Sequence, residues 1–191
     1  MRHPFRRSKF SARLLPVFAV AIVTYALARP TLLSFAIGTP LVAVGVALRV
    51  WGTGYLVKND VLSVVGPYAY LRHPLYAGTL CLGLGFGVIA GGWALALVLG
   101  SFVPAFFLYY FPYKERIESA RLEQRYGRAY AEYRRAVPAL LPSLSRFTPE
   151  GGSPSRERWS VQRLRDNNED GALLGIAVGF LLLALRPLLN S

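Results

Sequence analysis

An arginine, a histidine and three tyrosines stand together in residues 66–78, whose sequence is GPYAYLRHPLYAG. A guanidinium binds carboxylates through charge-assisted hydrogen bonds, an imidazole exchanges protons near neutral pH, and a tyrosine ring attracts a cation. An apolar run at 31–57 precedes this cluster, and a second run at 75–90 overlaps its end. Because charged groups are costly beside hydrocarbon, the cluster is a candidate functional site.

A carboxylate far downstream is the second candidate. In the helix predicted over 113–136, steps of three or four residues from Glu118 define one apolar-aromatic stripe, which comprises Leu122, Tyr126, Tyr130, Tyr133 and Val137. Such a stripe is expected to pack against protein or membrane. Glu118 lies on it and Glu115 one turn before. A surface pair between Glu118 and Arg121 is the alternative, but a functional role is favoured because buried charge must be compensated.

Arg49 is a third charged residue in an unusual place, inside the second apolar run. Snorkelling of its side chain to the membrane interface explains it as well as a functional role does. We include it among the candidate catalytic residues. In the third run, Gly83 and Gly87 are expected to form a surface of small residues for close helix–helix approach.

Composition indicates one membrane domain. The 191 residues are 53% hydrophobic and carry a net charge of +12. The basic residues flank apolar runs rather than cover one soluble face, which argues against nucleic-acid binding. One cysteine, Cys81, excludes an intramolecular disulfide, and with only two histidines beside it we expect no bound metal.

Five apolar runs must position these residues: 14–28, 31–57, 75–90, 93–111 and 172–185. A helix needs about 20 residues to cross a bilayer, so the fifth run is marginal. We predict an all-α, polytopic bundle of about five spans. Of 22 basic residues, only Arg29 and Arg186 fall on the outer side if the leader 1–13 is cytoplasmic. The candidate site is then cytoplasmic, in a multi-pass protein that we assign to a bacterial inner membrane.

Two ordered motifs carry a family resemblance. The first is Arg49-Val50-Trp51-Gly52-Thr53-Gly54-Tyr55, then Lys58, Gly66-Pro67-Tyr68 and Arg72-His73-Pro74-Leu75-Tyr76-Ala77-Gly78. The second is Glu118, Leu122, Tyr126-Gly127, Tyr130, Tyr133, Val137-Pro138 and Leu141-Pro142. Residues 42–142 thus resemble the integral-membrane isoprenylcysteine carboxyl methyltransferase family, whose superfamily includes phospholipid N-methyltransferases.

This resemblance implies S-adenosylmethionine-dependent methyl transfer to a lipid or small hydrophobic acceptor. It also implies that the first motif and the downstream glutamate enclose the methyl donor, with the C-terminal helix closing the pocket. The implied catalytic residues are Arg72, His73 and Arg49. The implied cofactor-binding residues are Tyr68, Tyr70, Arg72, His73, Pro74, Tyr76, Gly78, Glu115 and Glu118.

Departures from the family pattern argue against prenylcysteine as the acceptor. Glu118 is followed by Ser119, where the family often has a second acidic residue, and Ala136 stands before Val137-Pro138 where a basic residue is common. Outside the methyltransferase-like core, 14–142, we expect a basic cytoplasmic linker at 143–170 and a final apolar helix at 171–189. A non-catalytic membrane subunit and a nicotinamide-dependent membrane reductase are the alternatives. The methylated atom and the oligomeric state stay open.

Overall fold

A computed structural model describes residues 18–57, 62–149 and 158–189. Eight α-helices occur there, and these ranges contain no strand: α1 (Phe18–Leu27), α2 (Leu32–Tyr55), α3 (Pro74–Ala90), α4 (Gly92–Pro104), α5 (Phe111–Tyr126), α6 (Arg128–Ala136), α7 (Val161–Asp166) and α8 (Glu169–Leu185). Short 3₁₀ helices cover Gly66–Ala69 and Arg186–Leu189. The predicted all-α class is confirmed. The basic leader 1–13 and Lys58 lie outside the described residues.

Two helices are long and apolar enough to cross a membrane. They are α2, with 24 residues, and the continuous helix Gly92–Tyr126, with 35. Only 17% of the apolar window in each is buried inside the protein. A core helix of a soluble protein would be mostly covered, so this exposure favours contact with lipid. Phe18–Leu27 and Pro74–Ala90 are shorter apolar helices.

Glycines allow α2 and α3 to pack backbone against backbone. A Cβ atom placed on Gly45 would lie 2.8 Å from the carbonyl oxygen of Gly78, and one on Gly85 would lie 2.8 Å from the Val42 nitrogen. On another face of α3, Gly83 and Gly87 approach Phe102 and Val98 of α4. The predicted small-residue surface therefore exists, and it places α3 between two neighbours.

The turns at one end of the bundle are tied together. The α3–α4 turn at Gly91-Gly92 adopts left-handed φ values of 66° and 48°, which glycine reaches without a steric penalty. The Arg29 amide donates to the Ala90 carbonyl at 2.8 Å, and an Arg186 Nη2 donates to the Ala26 carbonyl at 3.1 Å. These contacts fix α1, α3 and the end of α8 at the same level.

The fourth apolar run continues into the polar segment without a break. A π-helical stretch, Ala105–Tyr110, joins α4 to α5 and keeps Phe106 buried. The single helix predicted over 113–136 is instead divided at Gly127, which has a φ of 49°. This residue turns the chain so that α6 folds back along α5. Ser119 and Tyr130 then share a buried hydrogen bond of 2.7 Å between their hydroxyl oxygens.

Candidate functional site

The turn at Arg72-His73 is bound to the segment that follows α6. The Arg72 amide donates to the Pro138 carbonyl at 2.9 Å, and the His73 amide donates to the Ala139 carbonyl at 3.1 Å. The Arg72 Nε donates to the Val137 carbonyl at 2.8 Å. Backbone pairing of this kind satisfies polar groups that an irregular turn would otherwise leave exposed or unpaired. The two motifs, some 65 residues apart, are therefore parts of one structure.

Arg72 also pairs with the first carboxylate of α5. Its Nη1 lies 3.0 Å from the Glu115 Oε1, and the two side chains are 10% and 19% exposed. The ion pair and the bond to Val137 together hold the guanidinium plane in one orientation. Arg72 is thereby fixed between the turn that carries it, α5 and the end of α6.

His73, Tyr76 and Glu118 form a compact group beside this pair. The Tyr76 hydroxyl donates a hydrogen bond to the Glu118 Oε1, and the His73 Nδ1 lies 3.7 Å from the Glu118 Oε2. The His73 ring stacks on Tyr76 with centroids 5.3 Å apart, and Phe111 meets the His73 ring edge-on at 5.6 Å. Three different helices or turns thus supply one cluster of aromatic and acidic groups.

His73 is neutral at pH 7. Its pKa is lowered to about 4, mainly by burial; the Glu115 charge opposes this shift and the Arg72 charge adds to it. Its contact with Glu118 is therefore not an ion pair at neutral pH, and 3.7 Å exceeds hydrogen-bond distance. Within the described part of the chain, the buried Nε2 of His73 has no hydrogen-bond partner. Such an atom is available to a ligand or an ordered water.

Two tyrosines on opposite sides of the turn remain protonated. The Tyr133 hydroxyl donates to the Tyr68 carbonyl at 2.8 Å, which fastens α6 to the 3₁₀ helix. Burial raises the pKa of Tyr68, and Tyr133, Glu118 and Glu169 each add to that rise. Burial also raises the pKa of Tyr133. Both phenols therefore stay neutral and can act only through their rings and hydroxyl groups.

A cavity of about 430 Å³ opens beside these groups. Six of the predicted site residues line it: Tyr68, Arg72, His73, Pro74, Tyr76 and Glu118. The remaining lining comes from residues without a predicted site role, namely Leu56, Val57, Leu62, Ser63, Leu75, Arg121, Leu122, Arg125, Tyr126 and Tyr133. The volume lies in the range of about 300–1,000 Å³ that is typical of small-molecule sites. The stripe on α5 and α6, predicted to pack, forms much of this wall.

The other four predicted residues lie near the cavity but do not line it. Glu115 acts on Arg72, as described above. The Tyr70 carbonyl accepts a hydrogen bond from the Ser143 amide at 2.8 Å. Gly78 is a close-packing position, since a Cβ there would lie 2.7 Å from the Arg49 Cγ. The Arg49 side chain is bound by Glu169 and Thr79.

Glu169 binds Arg49, and sequence reasoning did not predict this contact. The Arg49 Nε and Nη2 donate to the two carboxylate oxygens of Glu169 at 2.6 and 2.9 Å, and its Nη1 donates to the Thr79 Oγ1 at 2.9 Å. Glu169 is 2% exposed. It belongs to the part of the chain interpreted as a cytoplasmic linker, 120 residues from Arg49. Helical periodicity cannot reveal a partner at that separation.

Known proteins resemble the chain only in part. No family model matches it, and no solved structure matches it. A cobalt-zinc-cadmium resistance protein, CzcN, from Cupriavidus metallidurans is 37% identical over 60% of this chain and 50% of its own length. A protein-S-isoprenylcysteine O-methyltransferase from Schizosaccharomyces pombe is 33% identical over 46% of this chain and 35% of its own length.

A third relative has a different activity in its name. A Delta(14)-sterol reductase from Arabidopsis thaliana is 32% identical over 49% of this chain and 25% of its own length. The chain therefore spans half or less of each of these relatives. The similarity to an isoprenylcysteine methyltransferase agrees with the motif resemblance and suggests methyltransferase activity. It leaves the substrate and the donor to be argued from the site.

Proposed function

We propose that this protein is an integral-membrane methyltransferase that transfers a methyl group from S-adenosylmethionine to a lipid or other small hydrophobic acceptor. The observation that carries the proposal is the convergence of the Arg72–Tyr76 segment and Glu118 on one cavity. Forty-two residues of sequence separate Tyr76 from Glu118. The similarity to a named isoprenylcysteine methyltransferase supports the same assignment.

The cavity residues fit the polar parts of this donor. Glu118 offers a carboxylate to the ammonium group, in a charge-assisted hydrogen bond. Arg72 uses two N–H groups on Val137 and Glu115, and its guanidinium carries further N–H groups for the donor carboxylate. The rings of Tyr68 and Tyr76 suit the adenine, or the sulfonium through a cation–π contact. The unpartnered His73 Nε2 offers one more polar contact.

The bound donor supplies an electrophilic methyl group on a sulfonium sulfur. The residues around it contribute orientation and a site with little water, which together lower the barrier to transfer. An acceptor carboxylate or thiolate needs no strong base, whereas an ammonium must first lose a proton. A pKa of about 4, lowered mainly by burial, makes the His73 imidazole a weak base, so an acceptor that has no proton to lose fits this site better.

We further propose five membrane crossings, formed by the apolar helices α1, α2 and α3, the Gly92–Tyr126 helix and α8. The N-terminus and the site lie on the cytoplasmic side. Support comes from Arg29 and Arg186, the two basic residues assigned to the outer side, which both bind at the end of the bundle marked by Ala26 and Ala90. Arg72 and Glu118 lie at the opposite end of α3, where Arg72 precedes the helix and Glu118 binds Tyr76 in its first turn.

Donor binding tests the proposal. The purified protein in detergent should bind S-adenosylmethionine in a calorimetric titration. Glu118→Gln should weaken binding about 10- to 100-fold, since hydrogen bonds to charged groups contribute about 1.5–3 kcal/mol. Glu132→Gln is the matched control, because Glu132 pairs on the surface with Arg128. A wild-type protein that binds no donor, or a Glu118→Gln variant with wild-type affinity, would refute the assignment.

The acceptor is a separate question with its own measurement. Lipids extracted from cells with and without the protein should be compared by mass spectrometry. A lipid heavier by one CH₂ group, present only with the active protein, identifies the acceptor class. Absence of any methylated lipid would leave a small hydrophobic molecule outside the lipid fraction as the acceptor.

The similarity to a sterol reductase favours one alternative. In that case the cavity would bind a nicotinamide dinucleotide more tightly than S-adenosylmethionine, which a competition titration measures directly. A non-catalytic membrane subunit is the other alternative. It predicts that alanine at Arg72, His73 or Glu118 leaves the biological activity intact.

A further inference from the structure

Residues 158–169, which we call the C-terminal strap, cross the end of α2. The Trp159 Nε1 donates to the Val50 carbonyl and the Ser160 amide to the Gly54 carbonyl, both at 3.1 Å. The Asn167 Nδ2 donates to the Leu56 carbonyl at 3.2 Å. The last four carbonyls of a helix have no partner within the helix, and the Gly54 carbonyl, which the Ser160 amide binds, is one of them. Within the expected linker, residues 158–169 therefore form a cap on α2.

Glu169 closes the strap with a buried charge. Its carboxylate binds the Arg49 guanidinium through both oxygens, and the Thr53 hydroxyl donates to its Oε2 at 3.3 Å. Thr53 is completely buried and Glu169 nearly so. An ion pair in this position costs desolvation that well-packed apolar side chains would avoid, so it adds little stability by itself. The pair has a clearer effect on geometry than on stability, because it holds the Arg49 guanidinium in one position.

The strap lies directly behind the cavity wall. A Cβ on Gly54 would lie 2.0 Å from the Trp159 Nε1, whereas a Cβ on Gly52 would lie 2.8 Å from the Cδ1 of Leu75, which lines the cavity. Gly52 and Gly54 are two residues apart and therefore lie on nearly opposite faces of α2, so this helix separates Trp159 from Leu75. Leu56 also lines the cavity, and its carbonyl is the group that Asn167 holds.

Arg49 connects the strap to the first turns of α3. Its Nη1 contacts Thr79, three residues after Tyr76, and its Cγ packs against Gly78. Burial raises the pKa of Tyr68, and the charges of Glu118 and Glu169 add to that rise. Through Arg49, the strap therefore reaches the turn of α3 that follows Tyr76.

We propose that the C-terminal strap is part of the methyltransferase site and that Glu169 is a positioning residue for it. Glu169 fixes the Arg49 guanidinium against α3, and the strap fixes the wall at Leu56. This inference rests on the proposed function, since it assigns the strap to the same reaction. Residues outside the family-like core thereby determine the geometry of the site inside it.

Four variants test this role. Glu169→Gln keeps the shape and removes the charge, Glu169→Asp keeps the charge, and Asp170→Asn is the control on an exposed neighbour. Arg49→Gln with Glu169→Gln replaces the ion pair by a neutral pair that leaves no uncompensated charge. We expect Glu169→Gln to lower kcat about 100-fold, the size of effect that a misplacement of about 1 Å produces. Affinity for S-adenosylmethionine should change little, because neither residue lines the cavity.

The double variant separates positioning from stability. Its Tm should return toward the wild-type value while kcat stays low, and Glu169→Asp should recover part of kcat. Wild-type turnover in the double variant, or in Glu169→Gln alone, would show that the pair only stabilises the fold and would overturn the inference.

A second readout does not depend on the methyl donor. If the wild-type protein binds no S-adenosylmethionine, the proposed function fails, and hydrogen exchange still tests the strap. Glu169→Gln should speed amide exchange in residues 53–56 and 75–79, whereas Asp170→Asn should not. Unchanged exchange in Glu169→Gln would overturn the positioning role.

Discussion

Two arginine–glutamate pairs in this protein differ in the burial of their carboxylates. Arg72 and Glu115 meet at 3.0 Å, with side chains 10% and 19% exposed, beside a cavity. Arg49 and Glu169 meet at 2.6 Å, with side chains 19% and 3% exposed. A partly exposed carboxylate can be solvated when its partner is lost, whereas a buried carboxylate that loses its partner is strongly destabilising. Arg72 can therefore also bind a ligand, whereas Arg49 is needed to compensate the charge of Glu169.

Breaking the buried pair should have the largest effect. Arg49→Ala leaves Glu169 charged and without its main partner, so the free energy of unfolding should fall by about 3–5 kcal/mol. Denaturant unfolding in detergent measures this change. Arg128→Ala is the control, because that surface pair is exposed and such pairs are worth about 0.3–0.5 kcal/mol. A similar small loss for both variants would remove the contrast between buried and exposed pairs.

Acid should destabilise the protein through His73, which lines the cavity. The pKa of His73 is about 4 in the folded protein, against 6.5 as the ordinary value. Between these values the unfolded chain binds one more proton, so stability is lost as pH falls from about 6.5 to about 4 and is fully present above that window. The His73 contribution amounts to roughly 3 kcal/mol.

The measurement is unfolding as a function of pH for the wild type and His73→Gln. The carboxylates titrate in both proteins, so the difference between the two curves isolates His73. We expect the variant to lose less stability across the window. Parallel curves would contradict the burial of a neutral imidazole at this position.

Breaking the cavity-side pair should cost less than breaking the buried one. Glu115→Ala removes one charge-assisted hydrogen bond, worth about 1.5–3 kcal/mol, and leaves Arg72 bonded to the Val137 carbonyl. Unfolding in the same detergent gives the comparison with Arg49→Ala. A larger loss for Glu115→Ala than for Arg49→Ala would reverse the order proposed for the two pairs.

The smallest expected effect concerns Thr53, whose hydroxyl also binds the buried carboxylate of Glu169. Thr53→Val keeps the volume of the side chain and removes one hydroxyl donor to Glu169, which should cost about 1 kcal/mol. Glu169 keeps both bonds to Arg49, so the pair should survive. A cost as large as that of Arg49→Ala would mean that Thr53, rather than Arg49, compensates the buried carboxylate.

Sequence reasoning singled out residues on the cavity side of the molecule because their signals are local. Arg72, His73 and Tyr76 fall within five residues, and Glu118 follows from helical periodicity on α5. The same periodicity predicted a packing stripe, and its members do pack into a buried cluster around Tyr130, Tyr133 and Val137. Leu122, Tyr126 and Tyr133 also line the cavity. Periodicity missed the division at Gly127, because one glycine does not interrupt an otherwise periodic pattern.

The strap was not predictable in the same way. The segment is polar, arginine-rich and outside the family-like motifs, which is also the composition of a solvated linker. Its contacts depend on carbonyls at the end of α2, and no side-chain pattern records which helix end will need donors. In the sequence, Gly54 is only one residue of a motif. Its contact with Trp159 depends on the path by which residues 158–169 return to α2.

The sequence by itself determined the helical class, the apolar helices and the residue types of the candidate site. Those properties follow from composition and short-range periodicity, which act before any tertiary contact forms. Which charged side chains pair with each other depends on the tertiary structure. With 22 basic and 10 acidic residues, pairing is fixed only when packed helices bring two particular side chains within a few ångströms and exclude water around them. For this reason Glu115 pairs with Arg72, and Glu169 pairs with Arg49.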